Sequence, residues 1–276
     1  MPELPEVETV RRCLEPVLTG ADLVEVAVRH PRLARRNRSA AEIEDRLTGA
    51  TVSTLRRHGK FLIADLDQGS VWVIHLGMSG HLRIAEPAEA EEAHTHVVVR
   101  TGGGKEVRMI DPRTFGFVAV LTPAEWEEAP FSRHGPDALD QLPVAARLAN
   151  GLEGRRVPIK ARLLDQTFLA GLGNIYADEV LHRSGLRPTR SAGSLRPGEV
   201  SALRSAIKPV LRAGIRWGGT SLNDLAYLLP DGAAGRYLER LHVYGREGQP
   251  CARCRSPIVR SVVAGRSTYY CPTCQR

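Results

Sequence analysis

Two places in the chain hold residue types whose spacing can do chemistry. One is its start, Met1-Pro2-Glu3-Leu4-Pro5-Glu6. Removal of Met1 exposes Pro2 as a secondary amine with carboxylates beside it. An amine attacks a sugar or carbonyl carbon only when neutral. An α-amine titrates about two to three pH units below a lysine, so far more of it is reactive near neutrality. Pro2 is therefore a candidate imine-forming nucleophile, with Glu3 and Glu6 as candidate general acids or bases. The plainer reading is a helix start with Pro5 in the first turn and acids complementing the dipole. Taken alone, six residues favour that plainer reading.

The other place is Cys251-Ala252-Arg253-Cys254 with Cys271-Pro272-Thr273-Cys274. Residues 258–263 and 267–270 read as two short strands about a turn at Ala264-Gly265. Four thiolates in two such pairs satisfy tetrahedral Zn2+. One ion held by four protein ligands leaves no position for substrate, so the expected zinc is structural. Two disulfides are the alternative. Cys13 makes the total odd, and no signal peptide or apolar span is read, so a reducing, cytoplasmic setting is expected. Cys13 falls in the first helix and is assigned no chemistry.

Charge points to a polyanion. The net charge is +7, but residues 1–150 carry 18 Lys+Arg against 22 Asp+Glu, and residues 151–276 carry 20 against 9. A basic second half suits nucleic acid and makes binding salt-dependent. An arginine-rich composition from a GC-rich genome would produce part of the same bias. No stretch is long and apolar enough to span a membrane.

The elements that must position these residues follow from periodicity. Val7, Val10, Leu14 and Val17 predict a helix from Pro5 to Leu18. Strands are predicted at 23–28, 96–100, 107–110 and 117–121, with a hairpin of 60–66 and 71–76. Many short strands with Gly-rich turns argue for a β-sandwich or barrel. Glu86 to Glu92 reads as a solvated loop. Beyond residue 140 the period turns helical, with helices at 143–150, 159–165, 175–184 and 197–217. Asp231 to Gly235 reads as a mobile loop.

Several turns in this frame could hold a ligand. Gly171-Leu172-Gly173-Asn174 opens a helix, where free N–H groups favour an anion, and Asn174 and Lys160 are candidate phosphate contacts. An ordinary glycine turn is an equal reading. Leu76-Gly77-Met78-Ser79-Gly80 and Asp111-Pro112-Arg113-Thr114-Phe115-Gly116 put Met78, Arg113 and Phe115 on turns that could wedge into a base stack. Met78 and Phe115 are otherwise ordinary core residues.

Together with Gly218-Gly219-Thr220-Ser221 and the cysteine pairs, these motifs run collinearly from residue 2 to the end. In that order the chain resembles bacterial formamidopyrimidine-DNA glycosylases. The resemblance implies an α+β multidomain fold: an N-terminal helix with a two-layered β-sandwich (1–133), a linker (134–154), a helix–two-turn–helix domain (155–240) and a four-cysteine zinc ribbon (241–276). It implies a base-excision repair enzyme, combining glycosylase and AP lyase, that acts on 8-oxoguanine and formamidopyrimidines in damaged double-stranded DNA as a monomer. Pro2 would attack C1′, Glu3 would protonate the sugar ring oxygen, and β,δ-elimination would follow. Lys60 and Arg266 would hold phosphates at the lesion. Glu6 and Ser221 would line the lesion pocket. His75 and Asn174 would contact DNA. Met78, Arg113 and Phe115 would fill the gap left by the flipped base, with Arg113 facing the orphaned cytosine. Residues 221–237 would close over the base. An endonuclease VIII-type enzyme for oxidised pyrimidines and a catalytically silent damage-binding protein are the competing readings. A ribosomal or transcription-factor ribbon would explain only the last quarter.

Overall fold

The computed structural model describes residues 2–221 and 227–276. Two compact units form: Met1–Ser132 with Trp217–Leu238, and Arg133–Arg216 with Glu239–Arg276.

The first unit begins with α1 (Leu4–Leu18), whose Val7, Val10, Leu14 and Leu18 are buried. Two antiparallel four-stranded sheets follow. One has the order β1-β6-β7-β5: β1 (Leu23–Val28), β6 (Thr95–Thr101), β7 (Glu106–Ile110), β5 (His81–Ala85). The other has the order β2-β3-β4-β8: β2 (Val52–His58), β3 (Phe61–Leu66), β4 (Val71–His75), β8 (Phe117–Leu121). Leu82, Val97, Val99, Val107 and Met109 of the first sheet share one core with Leu55, Leu62, Ala64, Trp72, Ile74, Val118 and Val120 of the second. The stripe of α1 and Ile43 and Leu47 of α2 (Ala40–Leu47) complete it. Of the sandwich or barrel that the strand pattern allows, this is the sandwich, two-layered as the family resemblance implies.

β3, β4 and β8 read as nearly unbroken apolar runs because their second face is covered too. Phe61, Ile63, Val73, Phe117 and Ala119 pack there against Ala129 and Phe131, which follow α3 (Pro123–Glu128). β2 and β5 are not among the predicted strands, because paired polar residues, Ser53-Thr54 and Arg56-Arg57, interrupt β2, and β5 is short and carries His81 and Arg83. The acidic run after β5 is exposed, but it is tied down: Glu86 pairs with Lys105, Glu91 with Arg29, and Glu89 and Glu92 with Arg83. Residues 231–235 form a hydrogen-bonded turn, with Ala233 N–H donating to Asp231 and Gly235 N–H to Ser221 Oγ.

The second unit packs α4 (Ala145–Leu152), α5 (Ile159–Leu164), α6 (Asn174–Ser184) and α7 (Pro197–Arg216). A Cβ on Gly214 of α7 would lie 2.5 Å from the Tyr176 hydroxyl, so glycine is required for α6 and α7 to approach. α6 ends at Gly185, left-handed at φ 75°. The hairpin of β9 (Val259–Val263) and β10 (Arg266–Tyr270) turns through Ala264 and Gly265, at φ 49° and 73°. Two positive φ values in a two-residue loop match the right-handed twist of the strands. Cys251, Cys271, Val243 and Ile258 form a small core beneath it.

Candidate active site

The N-terminal cluster is built by helix capping. Glu3 caps α1: its carboxylate accepts the Glu6 N–H, while Glu6 Oε2 accepts the Glu3 N–H at 2.9 Å. Such a reciprocal box satisfies donors that a helix start leaves open. Glu6 Oε1 accepts a further bond from Thr220 N–H at 2.7 Å. Gly219 makes that approach possible, because a Cβ there would sit 2.8 Å from Glu6 Cγ. The Tyr227 hydroxyl lies 3.1 Å from Gly218 O. Burial first, then the Glu6 charge, push that phenol well above its ordinary pKa, so it stays a donor. Pro2, Glu3 and Glu6 are all buried. The Ser221 hydroxyl donates to Tyr227 O at 2.7 Å and accepts from Gly235 N at 2.8 Å, so both its roles are engaged within this segment. Within the segment expected to close over the base, 221–237, residues 222–226 lie outside the described residues.

Lys60 sits buried in the turn between β2 and β3, after Gly59 at φ 57°. Arg57 ties that turn to α1, donating to Gly59 O at 3.3 Å and pairing with Glu8 at 3.2 Å. Burial opposes the Glu8 charge, but Arg11, Arg12 and Arg57 outweigh it and hold the carboxyl below its usual range. The helix bearing Pro2 and the turn bearing Lys60 thus share one ionised carboxylate.

The two candidate wedge turns are locked back to back by Asp111, which is wholly buried. Its Oδ1 accepts from Ser79 Oγ and its Oδ2 from Gly116 N–H, both at 2.7 Å. A Cβ on Gly77 would lie 2.3 Å from Gly116 N, so these backbones touch. Phe115 is exposed and carries the Arg113 guanidinium 4.8 Å from its ring centre and that of Arg32 at 5.3 Å. Arg35 grips the turn from below through Phe115 O and Gly116 O. Phe115 is therefore no core residue, whereas Met78 is half-buried. His75 packs between Phe61 and Phe117, and its Nδ1 accepts from Gly77 N–H at 3.2 Å, which puts the ring proton on Nε2.

In the second unit the reading of Lys160 as a phosphate contact is corrected. Lys160 and Asp178 are both fully buried and 2.7 Å apart. The ammonium also donates to Ser267 O at 3.0 Å and Thr268 Oγ1 at 2.9 Å, so its three protons are spent inside the fold. Asn174 Nδ2 donates to Ser267 O at 3.0 Å, and Tyr269 N–H donates to Asp178 Oδ2 at 2.9 Å. The start of α6 thereby docks the hairpin whose turn exposes Arg266. Glu179, also buried, accepts the N–H groups of His242, Val243 and Tyr244 at 2.9 to 3.0 Å.

The sulfurs of Cys251, Cys254, Cys271 and Cys274 lie within 4.8 Å of one another, with Cys254–Cys271 at 3.4 Å and Cys251–Cys274 at 3.9 Å. Zinc bound tetrahedrally at about 2.3 Å needs sulfurs about 3.8 Å apart. Arg253 N–H and Cys274 N–H point at Cys251 Sγ and Cys271 Sγ, as donors to thiolates should. The four cysteines are arranged to bind a metal.

Comparison with known proteins agrees at every segment. Residues 1–118 match the formamidopyrimidine-DNA glycosylase N-terminal domain, residues 134–225 its H2TH domain, and residues 248–276 the zinc finger found in FPG and IleRS. A formamidopyrimidine-DNA glycosylase of Rhizorhabdus wittichii is 46% identical over 277 residues, covering 100% of both chains. The chain belongs to the formamidopyrimidine-DNA glycosylase family. The Caulobacter vibrioides relative is 42% identical over 290 residues, again covering 100% of both. The crystal structure of MutM (Fpg) from Thermus thermophilus superposes with a TM-score of 0.89 at 40% identity, covering 99% of this chain and 98% of that one. Lactococcus lactis Fpg in complex with DNA containing an abasic site gives 0.90 at 31% identity, with 100% of both chains covered. Membership makes the chain a DNA glycosylase that acts on damaged DNA. No described helix is long and apolar enough to cross a membrane.

Several residues that build this glycosylase's site gave no signal in the sequence. Arg57 and Tyr227 support the N-terminal cluster from tens to hundreds of residues away and belong to no motif. Thr220, Asp111, Glu8, Asp178 and Glu179 fall within motif segments, but nothing there marked their partners. His182 read simply as a polar position in a helix.

Proposed function

We propose that this glycosylase excises oxidised purines, 8-oxoguanine and formamidopyrimidines, from duplex DNA and then cuts the strand by β,δ-elimination. The observation that carries the reading is the buried Glu3–Glu6 capping box clamped by Thr220, which fixes a carboxylate beside Pro2. With Met1 removed, the neutral Pro2 amine attacks C1′ and the base leaves. Glu3 protonates the sugar ring oxygen as the ring opens, and the amine loses its proton to give an iminium ion. The iminium acidifies the C2′ protons, which permits elimination of first one phosphate and then the other. Lys60 holds the neighbouring phosphate. In the lesion pocket Glu6 acts from its fixed position at the helix start, with Ser221 beside the base. Met78, Arg113 and Phe115 occupy the vacated stack, Arg113 toward the orphaned cytosine, and His75, Asn174 and Arg266 contact the backbone. The metal is one structural Zn2+ on Cys251, Cys254, Cys271 and Cys274. It supplies no chemistry and secures the hairpin that carries Arg266. A monomer suits an enzyme that scans DNA, and the bacterial relatives support action on cytoplasmic DNA.

Untagged protein incubated with a duplex carrying 8-oxoguanine opposite cytosine, under borohydride, tests this reading. A reduced crosslink mapped to Pro2 by peptide mass spectrometry is expected. A crosslink only with thymine glycol would favour the endonuclease VIII type. Tight binding without any crosslink or cleavage would indicate a silent damage-binding protein.

A further inference from the structure

The buried face of α6 carries one more polar group beyond Asp178 and Glu179. His182 is 1% exposed, and its Nε2 lies 3.6 Å from Cys251 Sγ. A metal-bound cysteine is a thiolate and has no proton to give. Across this contact the imidazole must therefore be the donor, in its Nε2–H form. The surroundings hold the ring in place. Arg253, inside the first cysteine pair, donates to His182 O at 3.0 Å and Arg183 O at 3.3 Å, pinning that pair to the last turn of α6. The His242 ring stacks on His182 at 5.8 Å, and its Nδ1 lies 3.2 Å from Glu179 Oε2. At the second pair, Gln275 receives the Cys271 N–H and donates to Leu186 O just beyond the helix, both at 2.8 Å.

We propose that His182 is a positioning residue of the metal centre, donating Nε2–H to the Cys251 thiolate so that metal retention depends on helix α6 as well as on the ribbon. The inference rests on the zinc reading above. An N–H···S bond from outside the ribbon orients the ligating sulfur and ties it to α6, so that the ligand leaves the metal less readily. It also explains a histidine sealed in a helical core with a cysteine as its neighbour.

The test uses the full-length zinc protein. Zinc transfer to an excess of a chromogenic chelator is timed for wild type, His182→Phe and His182→Gln. Phenylalanine keeps a ring without a donor, and glutamine keeps an amide N–H at comparable reach. Removing an outer partner of a metal ligand typically weakens retention by about tenfold or more. His182→Phe should therefore release zinc about tenfold faster, with His182→Gln close to wild type. The thiolate-to-metal charge-transfer band of the Co2+-substituted protein should shift in the Phe variant and not in the Gln variant. Wild-type release from a folded His182→Phe protein, with an unshifted band, would overturn the proposal. One further measurement needs no variant. Long-range 1H–15N correlation on the wild type should find the His182 proton on Nε2, and a proton on Nδ1 alone would equally reject it. Wild-type protein purified without zinc would reject the zinc reading itself, and the inference with it.

Discussion

Both units bury neighbouring carboxylates on a helix, Glu3 and Glu6 at the start of α1 and Asp178 and Glu179 within α6. Their surroundings differ in kind. At a helix start the chain's own unpaired N–H groups can hold an acid, so Glu3 and Glu6 accept each other's backbone N–H, and Thr220 N–H adds a bond to Glu6 from elsewhere in the unit. Mid-helix no such donors exist. Asp178 and Glu179 must draw Lys160 and the backbone of other segments to themselves, and so they become struts. A buried acid is thus not by itself a catalytic sign.

The sharpest break of this comparison is at α1. Retaining Met1 or adding an N-terminal tag should reduce strand cleavage below detection while the melting temperature stays unchanged. A fully active tagged protein would remove Pro2 from the chemistry. On the α6 side, Lys160→Met should cost about 3–5 kcal/mol by leaving Asp178 buried and unpaired, and adding Asp178→Leu should restore much of it. The salt slope of DNA binding should not change in the folded double variant. A slope lower by about one would return Lys160 to the phosphate contacts.

A middle-sized effect separates a support from the residue it supports. Asp111→Ala strips partners from Ser79 Oγ and Gly116 N–H and should cost about 1–3 kcal/mol in denaturant unfolding. Arg113→Ala, on the exposed side of the same turn, should stay within about 0.5 kcal/mol yet erode the preference for lesions opposite cytosine. An unaltered preference would reject the role given to Arg113.

The smallest effect should be alike in both units. Glu125 beside Arg46, and Glu199 beside Arg190, are each held down to about 2 first by the arginine's hydrogen bond. A depressed carboxyl contributes stability above its ordinary range that is lost as pH falls toward the folded value. Between about pH 4.5 and 2 both should lose their contribution. Both are partly exposed, so the loss is slight and shrinks in salt. Arg46→Ala and Arg190→Ala should each flatten that acid limb in thermal melts, and a steeper limb in either would contradict the assignment.

Much of the fold was legible because it rests on local rules. The stripe of α1, the β3–β4 hairpin and the two cysteine pairs follow from period and spacing, and the strand count points to a sandwich or barrel. β2 and β5 were not legible, since polar residues interrupt β2 in pairs, Ser53-Thr54 and Arg56-Arg57, and β5 is short and carries His81 and Arg83. Site residues divided in the same way. Arg113 and Phe115 stood out by their turn, and Phe115 is indeed exposed there. Lys160 looked like any basic residue ahead of a glycine turn and proved to be sealed in the core.

The sequence alone determined the residue types, the four thiolates at metal spacing, the proline next to acids, and the periods that make sheets and helices. Those are properties of neighbours within a few positions. Only the tertiary structure decided that Thr220 meets Glu6, that Asp111 joins two turns, that Lys160 belongs to Asp178, and that His182 faces Cys251. Each of those is a hydrogen bond between residues tens to hundreds of positions apart. Such a bond forms because a buried polar group must find a partner once water is excluded, and which partner it finds depends on how the chain packs.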